Sequence, residues 1–117
     1  MFPSRVLASG VTSLTSLNIC GDSSAALTAT GTNLATAYKI AAVYTQFTTV
    51  AASTGAVLPT TEVGELLIVA NDGANSLTIY AQTGSTIEGA SSYSLAAGKR
   101  VIIYAITLTK WLAILGA

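Results

Sequence analysis

Apolar and polar residues change places every few positions along this chain, and beyond Ala25 no apolar run is longer than Val101 to Ile106 before a polar or turn-forming residue interrupts it. Short segments of this kind, rich in Thr, Val, Ile and Tyr and bounded by Gly, Pro, Asn or Asp, read as strands. The pattern predicts strands over 25–30, 38–42, 44–51, 55–58, 65–71, 76–81, 85–87, 93–95, 99–106 and 110–115. Gly31-Thr32-Asn33, Gly64, Asn71-Asp72-Gly73, Gly84, Gly89 and Gly98 supply the turns between them, because Gly and Asn tolerate the positive φ that tight turns demand. Leu77 and Ile79 alternate with Ser76, Thr78 and Tyr80, so one face of that strand is apolar and the other polar. Joined to residues 65–70 through Asn71-Asp72-Gly73-Ala74-Asn75, it is expected to form a β-hairpin.

Two segments depart from alternation. Residues 65–70 and 101–106 are apolar on both faces, which a sheet with one wet face does not require. Something must cover the second face. The stretch before Ala25 differs again: it is rich in Ser and Thr, with apolar residues at Val6, Leu7, Val11, Leu14, Leu17 and Ile19. The 11, 14, 17 spacing is roughly helical, but so short and hydroxyl-rich a segment does not hold a helix alone. We read residues 1–24 as an extended N-terminal arm, closed by the turn Gly21-Asp22-Ser23-Ser24, and residues 25–117 as one all-β domain, an antiparallel β-sandwich of jelly-roll-like form. The arm's apolar side chains need a partner surface, on their own domain or on a neighbouring subunit.

Composition sharpens the picture. The 117 residues suffice for one domain. Charged residues make up 9% and hydrophobic residues 51%, against about 25% charged in an ordinary soluble domain. With five Lys/Arg, five Asp/Glu and a net charge of +0, there is no basic stripe for nucleic acid and no polybasic patch for a membrane surface. A domain so poor in charge associates if left alone, so an assembly is its expected setting, and a neighbouring subunit is favoured over the arm as cover for the two-faced strands. The first residues, Met1 to Leu7, lack an apolar run of signal-peptide length, and no export signal is expected. Val101 to Ala117 carries Lys110 near its middle and reads as two strands, being short of the roughly 20 residues of a membrane-spanning helix.

Chemistry is limited by what is missing. With no His and only Cys20, neither a Ser-His-Asp nor a Cys-His arrangement, a zinc site or an intrachain disulfide can be built. The carboxylates Asp22, Glu62, Glu65, Asp72 and Glu88 fall at turns or strand starts, and Glu62 and Glu65, three apart across a turn, lack the fixed opposition of a glycosidase pair. Asn71, Asp72 and Asn75 surround one turn, but a single carboxylate is too few for calcium. Gly84-Ser85 and Gly98-Lys99 lack the spacing of a phosphate loop. No catalytic, metal or cofactor site is expected. The aromatics, Phe2, Tyr38, Tyr44, Phe47, Tyr80, Tyr93, Tyr104 and Trp111, belong in a core or interface; a sugar-stacking face is their alternative use.

One longer order of residues is distinctive. It begins Ala29-Thr30-Gly31-Thr32-Asn33, continues with Gly55-Ala56-Val57-Leu58-Pro59 and Gly64-Glu65, and runs through Asn71-Asp72-Gly73-Ala74-Asn75-Ser76-Leu77-Thr78-Ile79-Tyr80. Gly84-Ser85-Thr86-Ile87-Glu88-Gly89, Leu95-Ala96-Ala97-Gly98 and Lys110-Trp111 complete it. It resembles a pattern in small virion structural proteins of tailed bacteriophages, over roughly residues 25–115. Such modules occur in capsid decoration (cement) proteins and in tail or head fibres. The chain departs from the pattern at Glu88-Gly89, where Asn-Gly is frequent, and residues 1–24 have no counterpart. The resemblance implies a non-enzymatic virion structural protein on the outer surface of the capsid. Its partners would be other copies of itself, as a homotrimer, and the major capsid protein, with no nucleic acid or membrane, and Val6, Leu7, Val11, Leu14, Leu17 and Ile19 would make the contacts. A fibre component with a receptor- or glycan-binding β module is the alternative.

Overall fold

The computed structural model describes residues 23–116, which form ten strands and, among the described residues, no helix. They are β1 (Ser23–Thr28), β2 (Tyr38–Lys39), β3 (Tyr44–Thr49), β4 (Gly55–Val57), β5 (Leu66–Asn71), β6 (Leu77–Tyr80), β7 (Thr86–Ile87), β8 (Ser92–Leu95), β9 (Arg100–Ala105) and β10 (Lys110–Gly116). Each corresponds to an expected segment, and the all-β class is as read from the sequence. The first strand opens at Ser23, inside the stretch read as the closing turn of the arm. Residues 101–117, the longest apolar stretch, are in fact two strands: β9 and β10 pair antiparallel, with Ile114 opposite Ile102 and Leu112 opposite Tyr104.

The connectivity is not that of an antiparallel jelly-roll sandwich. Six strands form one sheet in the order β1-β3-β5-β9-β10-β7, and four form a second in the order β2-β4-β6-β8. The first six strands alternate between the two sheets. Each therefore meets its neighbour only after a full coil of chain, from Ser23 to Tyr44 to Ile68, and arrives pointing the same way. The pairs β1–β3, β3–β5, β2–β4 and β4–β6 are all parallel. Parallel neighbours need a crossover of about a dozen or more residues, and here a strand of the opposite sheet serves as that crossover. The arrangement is β-solenoid-like over β1–β6. It ends in antiparallel strands: β9 against β5, β10 against β9, and β8 against β6.

The expected hairpin over residues 65–80 is also corrected. β5 has both edges occupied, by β3 and β9, while β6 lies in the other sheet between β4 and β8. Asn71 to Ser76 is a corner between sheets. Asn71, fully buried, builds it: its Nδ2 donates to the carbonyls of Asn75 and Leu95, each at 2.9 Å, and its Oδ1 accepts from the Gly73 N–H at 3.0 Å. Asn75 Nδ2 donates to the Val50 carbonyl at 2.9 Å, tying this corner to the coil before it. Gly73 fits there because a Cβ would come within 2.7 Å of Val50.

The core lies between the sheets. Phe47, Leu67, Val69, Val101, Ile103 and Trp111 face Ala56, Leu58, Leu77, Ile79 and Leu95, all buried. Tyr38 closes one end with its ring edge-on to Phe47, centroids 5.4 Å apart. Leu77 and Ile79 are fully buried and Tyr80 is not, so the alternation read from the sequence is the one the sheet uses.

Candidate functional site

Val6, Leu7, Val11, Leu14, Leu17 and Ile19 lie outside the described residues, as do Asp22 and Cys20. The site that can be built from the structure is a different one, the outer face of the six-stranded sheet. Strand alternation creates it. In β9, Val101, Ile103 and Ala105 point into the core, so Ile102 and Tyr104 point outward, 36% and 39% exposed. In β10, Trp111 is inside while Leu112 and Ile114 are outside, 40% and 61% exposed. β5 contributes half-buried Leu66 and Ile68 beside buried Leu67 and Val69.

Register converts these residues into rows. Leu66, Tyr104 and Leu112 lie side by side across three strands, and Tyr44, Ile68, Ile102 and Ile114 across four. Ile106 continues the outward series of β9, and with Val63 and Leu108 it carries exposed apolar surface over the end of the sheet. Between Ile68, Ile102, Ile114 and Leu115 the surface dips into an open apolar depression of about 250 Å³. This is the second face that the doubly apolar segments demanded, and it is larger than either segment indicated because the register unites them.

Charge is confined to the borders of the face. Arg100 is in the row beyond Ile102, and its Nη2 bonds Asp72 Oδ1 at 3.0 Å. Asp72 Oδ2 also accepts from Gln46 Nε2 at 2.7 Å. The pair is surface-exposed, so it adds at most about 1 kcal/mol; its consequence is local neutrality. Lys110 stands at the opposite end, next to Ile106. Glu88 supports the free edge of β10, its Oε2 accepting from the Ala113 N–H at 2.9 Å.

The remaining candidates have structural partners. Asn71 and Asn75 turn their amide nitrogens to backbone carbonyls, and among the described residues no three His, Cys, Asp or Glu side chains cluster as metal ligands. Tyr80 donates its hydroxyl to the Thr32 carbonyl at 3.0 Å. Trp111 is buried and donates Nε1–H to Thr61 Oγ1 at 2.9 Å, which meets Ser85 Oγ at 3.1 Å. Sequence reading missed this bond and the Asn71 staple, since each joins residues distant in the chain.

Glu65 is the one titratable group with a resolved shift. Desolvation raises its pKa above 4.5 and the neighbouring Glu62 charge adds to the rise; its Oε1 is buried without a hydrogen-bond partner. A raised acid pKa means that the folded chain holds its proton more tightly than the unfolded chain, so stability falls as pH rises from the unfolded value through the folded one. Glu65→Gln should therefore raise Tm at pH 7 and lose that advantage at about pH 4, where wild-type Glu65 is also neutral. An equal Tm difference at both pH values would show that ionisation of Glu65 is not its cause.

No family model, curated protein or solved structure matches this chain.

Proposed function

We propose that this chain is a non-enzymatic virion structural protein, a capsid decoration protein that assembles as a homo-oligomer, a trimer on the family resemblance, on the outside of a phage head and braces the major capsid lattice. The observation that carries the reading is the exposed apolar sheet face on a domain almost without charge, which fits a life spent in contact with other subunits. The resemblance over residues 25–115 supplies the setting. In a symmetric lattice each weak patch contact is repeated, so modest contacts sum to firm attachment. The N-terminal residues Val6, Leu7, Val11, Leu14, Leu17 and Ile19 are assigned to the capsid. Removing residues 1–20 should abolish co-sedimentation with phage heads that lack their decoration protein, with the far-UV spectrum of the β domain unchanged. Undiminished co-sedimentation would take the capsid contact away from these residues.

A second reading has its own support. The parallel coils of β1–β6 leave β1 as an open edge on which further coils can stack, the kind of growth a fibre uses. In a tail or head fibre component, the outer face with Tyr104 would meet a receptor or glycan. Glycan binding lost in Tyr104→Ala, without head binding in the wild type, would favour this alternative.

A further inference from the structure

We propose that the outer face of β5, β9 and β10 is where a second copy of this chain docks, an inference that deepens the oligomeric reading above by naming the surface through which copies meet.

Size is the first argument. The apolar rows cover about four strands at about 4.8 Å and three side-chain levels at about 6.8 Å, a footprint of roughly 400 Å². The largest apolar patch of an ordinary monomer is about 300–600 Å² and is often functional, while a stable contact removes about 800 Å² of accessible surface per partner. Leu108 at one end and Leu115 at the other, 68% and 55% exposed, extend the face toward that value.

Chemistry is the second. The rows contain no charge: Lys110 is at one border, and Arg100 is neutralised by Asp72 at the other. Such a surface offers nothing to attract a charged partner, whereas an identical apolar face neither repels it nor leaves a buried charge unpaired. Shape is the third. A sheet face of Ile, Leu and Tyr packs on another sheet by interdigitation at a spacing of about 10 Å, so the face complements itself.

The contact is tested on the full-length chain by light scattering at tens of micromolar. Wild type should have a mass that is a multiple of the monomer's. Ile102→Lys with Ile114→Lys should lower the mass by about two- to three-fold and keep the wild-type far-UV spectrum, because both side chains are already exposed. Should the double variant lose its fold, Ile114→Lys alone reads the same contact from the more exposed position. Leu14→Ser with Leu17→Ser and Ile19→Ser should leave the mass unchanged. A monomeric wild type, or a face variant that stays oligomeric, would overturn the inference. So would a monomer produced by the N-terminal substitutions, which would make that segment the cover of the face. Head binding is read separately on the same proteins. An oligomer that ignores heads sinks the decoration reading alone, and a wild-type monomer that binds heads sinks this inference alone.

Discussion

Replacing Trp111 by Ala should cost about 3–5 kcal/mol of folding stability, the range for emptying a large aromatic site in a core. Trp111 is 1% exposed and sits where three parts of the chain converge. Its backbone pairs with Ala105 on β9 and Ile87 on β7, and its indole N–H holds Thr61 in the loop before β5. That loop has no ladder of its own along Thr60–Val63, so the Thr61 bond and the indole surface anchor it. A single domain has roughly 5–15 kcal/mol in all, which makes the expected loss a large share of it. Urea unfolding followed by far-UV circular dichroism is the measurement, since Trp111 is the sole tryptophan and its fluorescence disappears with it. Trp111→Phe separates the two contributions. It restores most of the volume and not the hydrogen bond, and should cost about 1–2 kcal/mol. If Ala and Phe prove equally damaging, the bond to Thr61 matters more than the packing.

Asn71→Ala should cost about 3 kcal/mol, because three hydrogen bonds at a buried corner are lost at about 1 kcal/mol each. The carbonyls of Asn75 and Leu95 lose their amide donor and the Gly73 N–H loses its acceptor. These groups belong to the crossing from β5 to β6 and to β8, so loosening them slackens the junction between sheets. Asn71→Asp is the sharper test. It puts a carboxylate oxygen opposite two carbonyl oxygens and buries a charge, so the folded state favours the protonated acid. Asn71→Asp should then destabilise more at pH 7 than at about pH 4, below which the introduced acid approaches neutrality in both folded and unfolded forms. A variant indifferent to pH, with a loss under about 1 kcal/mol, would mean that water replaces the amide and that the corner does not depend on it.

Both residues mark the line between what could be read along the chain and what could not. Strand positions were legible because they depend on local properties: Leu77 and Ile79 alternate with polar neighbours whatever sheet they join, and Gly31, Gly64 and Gly98 take positive φ at turns wherever those turns lead. The near absence of charge and the doubly apolar residues 65–70 and 101–106 likewise indicated a covered second face before any geometry was known. Pairing is a different kind of quantity. A polar run such as Asn71 to Asn75 satisfies a hairpin turn and a corner between sheets equally well, since both require chain reversal and backbone hydrogen bonds. The choice was made by occupancy: β3 and β9 already hold the two edges of β5, so the following strand passes to the other sheet.

The interaction face follows the same division. That Ile102, Tyr104, Leu112 and Ile114 are apolar is a property of the sequence, and strand alternation by itself places Ile102 with Tyr104 and Leu112 with Ile114. That all four share one surface with Leu66 and Ile68 was decided by the register of β5, β9 and β10, which depends on packing between segments far apart in the chain. Burial of Trp111 and Val101 on the opposite side leaves the strands no other way to turn. Local alternation determined which residues could form two apolar faces; the tertiary pairing of strands decided which face became the core and joined the other into a surface.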